Sequence, residues 1–428
     1  MLTLPAGAAT YEKTYDNGLK LIVREDHRAP VVVSQIWYRV GSSYEHDGFT
    51  GISHALEHLM FKGTPTYPGG ELSRIIAENG GEDNAFTGKH FTTYYQRIAS
   101  DRVEIPIRLE ADRMTNLLFD EIEFKREMEV IKEERSQRID NNPLSRFYEK
   151  FQATTFIRSP LRHPIIGWPL DIDRLTMVQA ERWYQRWYAP NNATLVIVGD
   201  VAFDEVEALV ARHFGPIKSK PVQPVLPVFE APQNGQKTIH GYGDISSSYL
   251  LMAYRVPVIM QLEDSEDAYA LEVLNGILDG GHSARFSRYL QREQDIAISA
   301  SADYDAFDRL QGLFNITAIP KPGITLEALK LAIESQIEAI KTNPVSQAEL
   351  QRVKAQVVSG RVYQQDSLFY MAMQIGQLET VGLGWHLLDD YVDHINRVTA
   401  SDIQRVARRY LNARNLTIGK FWPESKRP

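Results

Sequence analysis

Cysteine is absent from the chain, which excludes disulfides, thiolate metal sites and cysteine nucleophiles, and leaves any metal chemistry to His, Asp and Glu. Clustered Lys and Arg are missing too. With a net charge of -8, the chain lacks the concentrated positive charge that phosphate contacts require, so nucleic acid is excluded as a partner class. No apolar run approaches the roughly 20 residues of a membrane-spanning helix, so no membrane span is expected. The opening MLTLPAGAATYEKTYDNG has neither a basic start nor an apolar centre of the signal-peptide kind, and the stretch before Tyr11 is expected to be structureless. What is present is a chain of 428 residues, 43% hydrophobic and 24% charged, long enough for two domains with separate cores.

The stretch from Gly215 to Gln236 is rich in proline and has neither helical nor alternating periodicity, so it reads as an extended linker. Before it, Leu19 to Val23, Val31 to Tyr38 and Ala193 to Gly199 have the apolar or alternating pattern of strands. Glu71 to Asn79, Glu123 to Ile139 and Met177 to Trp187 have helical spacing. The second half echoes the first. Tyr38-Arg39-Val40 is answered by Tyr254-Arg255-Val256, and Arg186-Trp187-Tyr188 before an apolar run by Arg408-Arg409-Tyr410 before Leu416 to Ile418. The expected fold class is α+β, as two related α/β domains over 1–214 and 237–428 joined by the linker 215–236.

The segment GISHALEHLMFKG, from Gly51 to Gly63, places Ile52, Leu56, Leu59 and Met60 at helical spacing and predicts a helix. His54 and His58 then lie one turn apart on one face, where two imidazole nitrogens can meet one ion at about 2.0–2.1 Å. The same spacing also suits two hydrogen-bonded histidines with no ion. The H-x-x-E-H order inverts the H-E-x-x-H zincin pattern and puts Glu57 beside the pair, where it can take a proton from an activated water. Hydrolysis at such a site needs a third protein ligand and an open position. The helix from Glu123 to Ile139 offers Glu127, Glu133 and Glu134, and the residues alone do not choose among them.

The surroundings of HALEH resemble the zinc helix of the M16 (pitrilysin, insulinase-like, mitochondrial-processing-peptidase-like) metallopeptidase family. The resemblance continues through Asn17-Gly18-Leu19-Lys20-Leu21, Asn84-Ala85-Phe86-Thr87 before Thr93-Tyr94-Tyr95, His163-Pro164-Ile165-Ile166-Gly167 and the segment Tyr188 to Asp200. It implies two homologous domains of the LuxS/metallohydrolase-like type forming half of a clam-like chamber. It further implies one zinc ion per chain on His54, His58 and Glu134, with Glu57 as base and Glu127 as a helper carboxylate. Glu133 is then helix surface. Asn84, Ala85, Phe86 and Thr87 would bind an extended peptide substrate by strand addition.

Aligning the halves at the Tyr-Arg-Val anchors sets His54, Glu57 and His58 against Ala270, Val273 and Leu274, so only the first half is expected to hold metal. Family members supply an Arg and a Tyr from the second domain, in a segment like R-E-K-R-G-L-A-Y. Here Gln291 and Ile298 stand in those places, with Arg292 and Tyr289 nearby but out of register. The resemblance therefore implies a zinc endopeptidase subunit of the M16B type that works as a heterodimer with a homologous chain lacking the zinc motif, a homodimer being the alternative. A non-catalytic assembly subunit of the same fold is the rival reading. The compartment stays open between bacterial cytoplasm and, where a leader has been removed, periplasm.

Overall fold

The computed structural model describes residues 9–263 and 265–427. Residues 1–8, most of the stretch expected to be structureless, lie outside them. Two compact units emerge, and each draws on segments from both halves of the sequence.

The first unit comprises Met1–Arg135, His163–Leu226 and Gln364–Trp385. Its strands are β1 (Thr10–Thr14), β2 (Lys20–Glu25), β3 (Val31–Tyr38), β4 (Glu82–Thr87), β5 (Thr92–Ala99) and β6 (Ala193–Gly199), in the order β1-β2-β6-β3-β5-β4. β2 and β6 run parallel, and the other pairs are antiparallel. β3 and β6 read as near-continuous apolar runs because both of their faces are covered. One cover is the late helix Leu368–Val381, which lies on β3 and β6. It can do so because Gly376 has no side chain, since a Cβ there would sit 2.1 Å from the Trp37 ring. The early helices of this unit are α1 (Ile52–Leu59), α2 (Glu71–Glu78), α3 (Glu104–Asn116) and α4 (Glu121–Arg135). The helix expected over 123–139 thus begins two residues early, where Asp120 Oδ1 accepts from the amides of Ile122 and Glu123, both at 2.9 Å. Its α-helical part stops at Arg135 and a π-helical turn follows over Ser136–Asp140.

The second unit comprises Ser136–Arg162, Pro227–Tyr363 and His386–Pro428. Its strands are β7 (Lys237–Gly243), β8 (Tyr249–Val256), β9 (Ala297–Tyr304), β10 (Gly312–Pro320) and β11 (Leu416–Pro423), in the order β7-β11-β8-β10-β9. β7 and β11 are parallel and the rest antiparallel, so this sheet repeats β2-β6-β3-β5-β4 strand for strand. The duplication suggested by the Tyr-Arg-Val anchors is therefore a duplication of topology, with Tyr38 ending β3 and Tyr254 near the end of β8. Here the cover is an early helix, α5 (Pro143–Thr155), whose Phe147 and Phe151 join Leu251, Ala253 and Phe421 in one apolar cluster. Gly241 and Gly419 admit those rings, because a Cβ at either would come within 3.0 Å of them. Residues 215–236 contain no helix or strand.

Candidate metal centre

The helix that carries the histidine pair starts abruptly. Gly51 has φ +88°, a left-handed conformation that favours glycine, and a Cβ there would lie 2.5 Å from the carbonyl oxygen of Ile166. Gly167, at φ +94°, returns the contact against the Thr50 carbonyl. The first turn of α1 is satisfied by a side chain from outside the helix: Glu45 accepts from the Gly51 amide at 2.8 Å and the Ser53 amide at 2.9 Å. Burial pushes the Glu45 carboxyl up to about 7, and those two amides pull the other way. Ile52, Ala55, Leu56 and Leu59 are buried and fix the rotation of α1, which turns His54, Glu57 and His58 toward α4 and β4.

From α4 comes Glu134. One ligand atom from each of His54, His58 and Glu134 lies within 4.8 Å of the other two, and this is the group of three or more His, Asp or Glu side chains that can hold a metal ion among the described residues. Glu134 Oε2 stands 3.6 Å from His54 Nε2 and 3.3 Å from His58 Nε2. The carboxylate alternatives separate by position: Glu133 is exposed, whereas Glu127, two turns before Glu134 on the same face, is buried. Glu127 Oε2 lies 3.2 Å from His58 Nδ1, and Lys62 pairs with the other oxygen of that carboxylate. A carboxylate only accepts, so His58 directs its Nδ1 proton to Glu127 and its Nε2 lone pair toward Glu134 and His54. His54 Nδ1 is buried without a hydrogen-bond partner among the described residues.

These donors suit zinc. Two borderline imidazole nitrogens and one hard carboxylate oxygen form a set that zinc accepts, they converge from two helices, and three protein ligands leave a fourth position for water or substrate. The positions of the second unit aligned with His54, Glu57 and His58 offer nothing comparable, because Ala270, Val273 and Leu274 are fully buried core residues of the helix Glu266–Asp279.

Glu57 is half-buried, and its Oε2 accepts from Thr87 Oγ1 at 2.5 Å. Thr87 ends β4, the last strand of the sheet order, which pairs with β5 on one side only. Asn84 is exposed, while Ala85 and Phe86 are half-buried, the Phe86 ring meeting Trp37 edge-on at 6.0 Å. In the second unit, Gln291 lies in the π-helical turn Phe286–Glu293, and Ile298, 52% exposed, on the edge strand β9. Arg292 is committed to the His282 carbonyl at 2.8 Å. Asp295, at φ +56°, is the one non-glycine residue with positive φ among the described residues.

Sequence reasoning missed three supports of this site. Glu45 gave no signal, since its partners are backbone amides. Lys62 follows His58 by one turn, so the i, i+4 spacing placed it on the correct face. Arg135 follows Glu134 and donates to the Gly167 carbonyl at 2.8 Å, which ties the end of α4 to the glycine that abuts Gly51.

Comparison with known proteins places the chain among peptidases. The family description "Insulinase (Peptidase family M16)" matches residues 20–168, and "Peptidase M16 inactive domain" matches residues 174–357. The zinc protease PqqE of Helicobacter pylori is 29% identical over 406 residues, covering 93% of this chain and 89% of that protein. A solved protease from Helicobacter pylori superposes with a TM-score of 0.90 at 28% identity, over 97% of this chain and 100% of the other. An M16 inactive domain from Pseudomonas fluorescens shares the fold with a TM-score of 0.85 at 18% identity, over 97% and 98% of the two chains. Among the described residues no helix is long and apolar enough to cross a membrane. With its duplicated α/β domains and these matches across both halves, the chain belongs to the M16 (insulinase) peptidase family.

Proposed function

We propose that this chain is the zinc-carrying subunit of an endopeptidase that cleaves extended or unfolded peptides, with His54, His58 and Glu134 holding one ion. The observation that carries the reading is the convergence of those three ligand atoms within 4.8 Å, next to a carboxylate tethered to an open sheet edge. The zinc proteases among the relatives support the choice of metal by name. We take 1–214 as the catalytic domain and 237–428 as its related partner domain, with 215–236 as the linker.

When bound, zinc supplies a Lewis acid that lowers the pKa of a water toward about 7 and polarises a carbonyl. The remaining work falls to the chain. Glu57 keeps Oε2 on Thr87 and uses Oε1 to take the proton of the attacking water, then delivers it to the leaving amine nitrogen. Glu127 holds the His58 ring in its tautomer, as a positioning residue. The free edge of β4, over Asn84, Ala85, Phe86 and Thr87, pairs with the backbone of an extended substrate, which presents the scissile bond beside Glu57. Folded proteins are poor substrates on this account because their backbone groups are already paired.

The second domain lacks the donors such a site needs. Asp295 takes a positive φ at the place where the family segment has Gly, which supports the ungapped register that sets Gln291 and Ile298 in the places of the Arg and Tyr. Loss of one oxyanion donor costs roughly 2.7–4 kcal/mol. The reading is therefore a heterodimer whose second, homologous chain supplies the donors. The same lost pair favours one rival, a non-catalytic assembly subunit.

Hydrolysis of an unstructured peptide, by the chain alone and mixed with a homologous chain, tests the reading alongside Glu57→Gln. Zinc-dependent cleavage that rises with the partner and vanishes in Glu57→Gln is expected. A zinc-loaded chain that stays inert in every pairing overturns it in favour of the assembly role, and full activity alone removes the partner.

A further inference from the structure

A second polar site lies wholly within the second unit. Residues 230–234, the end of β8, the residue before β10 and the connection into β11 enclose a cleft of about 730 Å³. Its lining includes Arg255, Arg409 and Arg414, and Glu230 is the single acid among the lining residues. Charge balance sets this cleft apart.

Glu230 is buried, and its Oε2 already accepts three backbone amides, from Ile157 at 2.9 Å, Arg158 at 2.8 Å and Ser159 at 3.0 Å. Its other oxygen is 3.9 Å from Arg255 Nη1, beyond hydrogen-bond reach. Arg255 is 6% exposed, gives one hydrogen bond to the Ala231 carbonyl at 2.7 Å, and keeps a buried Nε without a partner. A guanidinium stays charged even when buried, so the wall of the cleft holds a cation that faces Glu230 across 3.9 Å and still has an unpartnered Nε. On the rim, Arg409 shares Asp267 with the Tyr410 hydroxyl and with Arg405, which also pairs with Asp402. Arg414 is exposed, and its guanidinium has no ion-pair partner among the described residues. Low-dielectric walls focus such a field into the cleft.

We propose that this cleft binds a compact, multiply charged oxyanion, a phosphoester or a dicarboxylate. The planar fork of Arg matches both groups, and the rim arginines supply it where solvent reaches. The side-chain amide of Asn234 also lines the cleft, while those of Asn412 and Asn415 donate to the Arg409 and Tyr410 carbonyls and brace its wall.

Titration calorimetry of the full chain at low ionic strength tests this with two probes, inorganic phosphate and succinate, on wild type, Arg414→Ala and Glu134→Gln. Arg414 is an exposed side chain whose removal leaves the core intact, and a melting curve checks that Arg414→Ala folds. The expected result is one site per chain for at least one probe, weakened tenfold or more in Arg414→Ala and retained in Glu134→Gln. Binding of phosphate but not succinate assigns the phosphoester, and the reverse assigns the dicarboxylate. No binding of either probe, or equal binding in wild type and Arg414→Ala, overturns the proposal.

Discussion

Thr87 Oγ1 donates to Glu57 Oε2 across 2.5 Å, so the last residue of the edge strand β4 holds the carboxylate that faces the His54–His58 pair. On the proposed function, the strand that would pair with substrate and the carboxylate that would move the proton are positioned by one bond. Removing it in Thr87→Val is expected to lower kcat by roughly tenfold to a hundredfold, the range for a hydrogen bond to a charged group. Metal content should not change, because Thr87 makes no contact with the ligand trio, and steady-state kinetics beside elemental analysis separates the two effects.

Glu127 acts through His58, so its effect should appear in metal affinity. Glu127→Gln weakens the acceptor for His58 Nδ1 and leaves Lys62 beside it without its carboxylate. The expected result is a metal affinity lower by about tenfold to a hundredfold, read by competition with a chelator. An unchanged affinity would show that His58 needs no partner at Nδ1.

The start of α1 depends on two glycines at backbone contact. Gly51→Ala and Gly167→Ala each force a residue at positive φ against a carbonyl oxygen at 2.5 Å. Each is expected to cost about 1–3 kcal/mol of stability, seen as a lower denaturation midpoint, and to loosen metal binding with it. Gly48→Ala is the internal control: its φ is also positive, at +90°, but nothing lies within 4 Å of its added Cβ.

A pH dependence follows from Glu272 in the second unit, on the helix Glu266–Asp279. Burial raises its carboxyl from 4.5 to about 7, while the Tyr391 hydroxyl, donating at 2.6 Å, pulls it down. A carboxyl raised in the folded state binds more protons folded than unfolded. Its stabilising contribution is therefore complete below about pH 4.5 and is lost as pH rises toward 7. Thermal melting from pH 4.5 to 7 should show a decline attributable to Glu272, on the order of 3 kcal/mol, that Glu272→Gln removes. An equal slope in both proteins would contradict the assignment.

Local pattern made much of this site legible. The residues of α1 are amphipathic over consecutive turns, so periodicity alone set His54 and His58 on one face, and the i, i+7 relation set Glu127 and Glu134 on one side of α4. The sheet strands β3 and β6 were readable because burial on both faces makes them uniformly apolar. Long-range partners were not readable. Glu45 reaches the α1 amides through a loop, Arg135 reaches a carbonyl 32 residues away, and the helix Leu368–Val381 comes from late in the chain to lie on β3. None of these leaves a spacing signature. The residues alone leave Glu127, Glu133 and Glu134 open; the family resemblance points to Glu134, and the structure leaves Glu133 exposed.

On the proposed function, His54, His58 and Glu134 hold zinc for chemistry in which Glu57 moves the proton. Elemental analysis of the purified chain, beside Glu134→Gln and Glu57→Gln, tests it most directly. The account predicts near-stoichiometric zinc in wild type and in an inactive Glu57→Gln, and its loss in Glu134→Gln. A wild-type chain that takes up no zinc, or a Glu134→Gln chain that keeps it, would contradict the account.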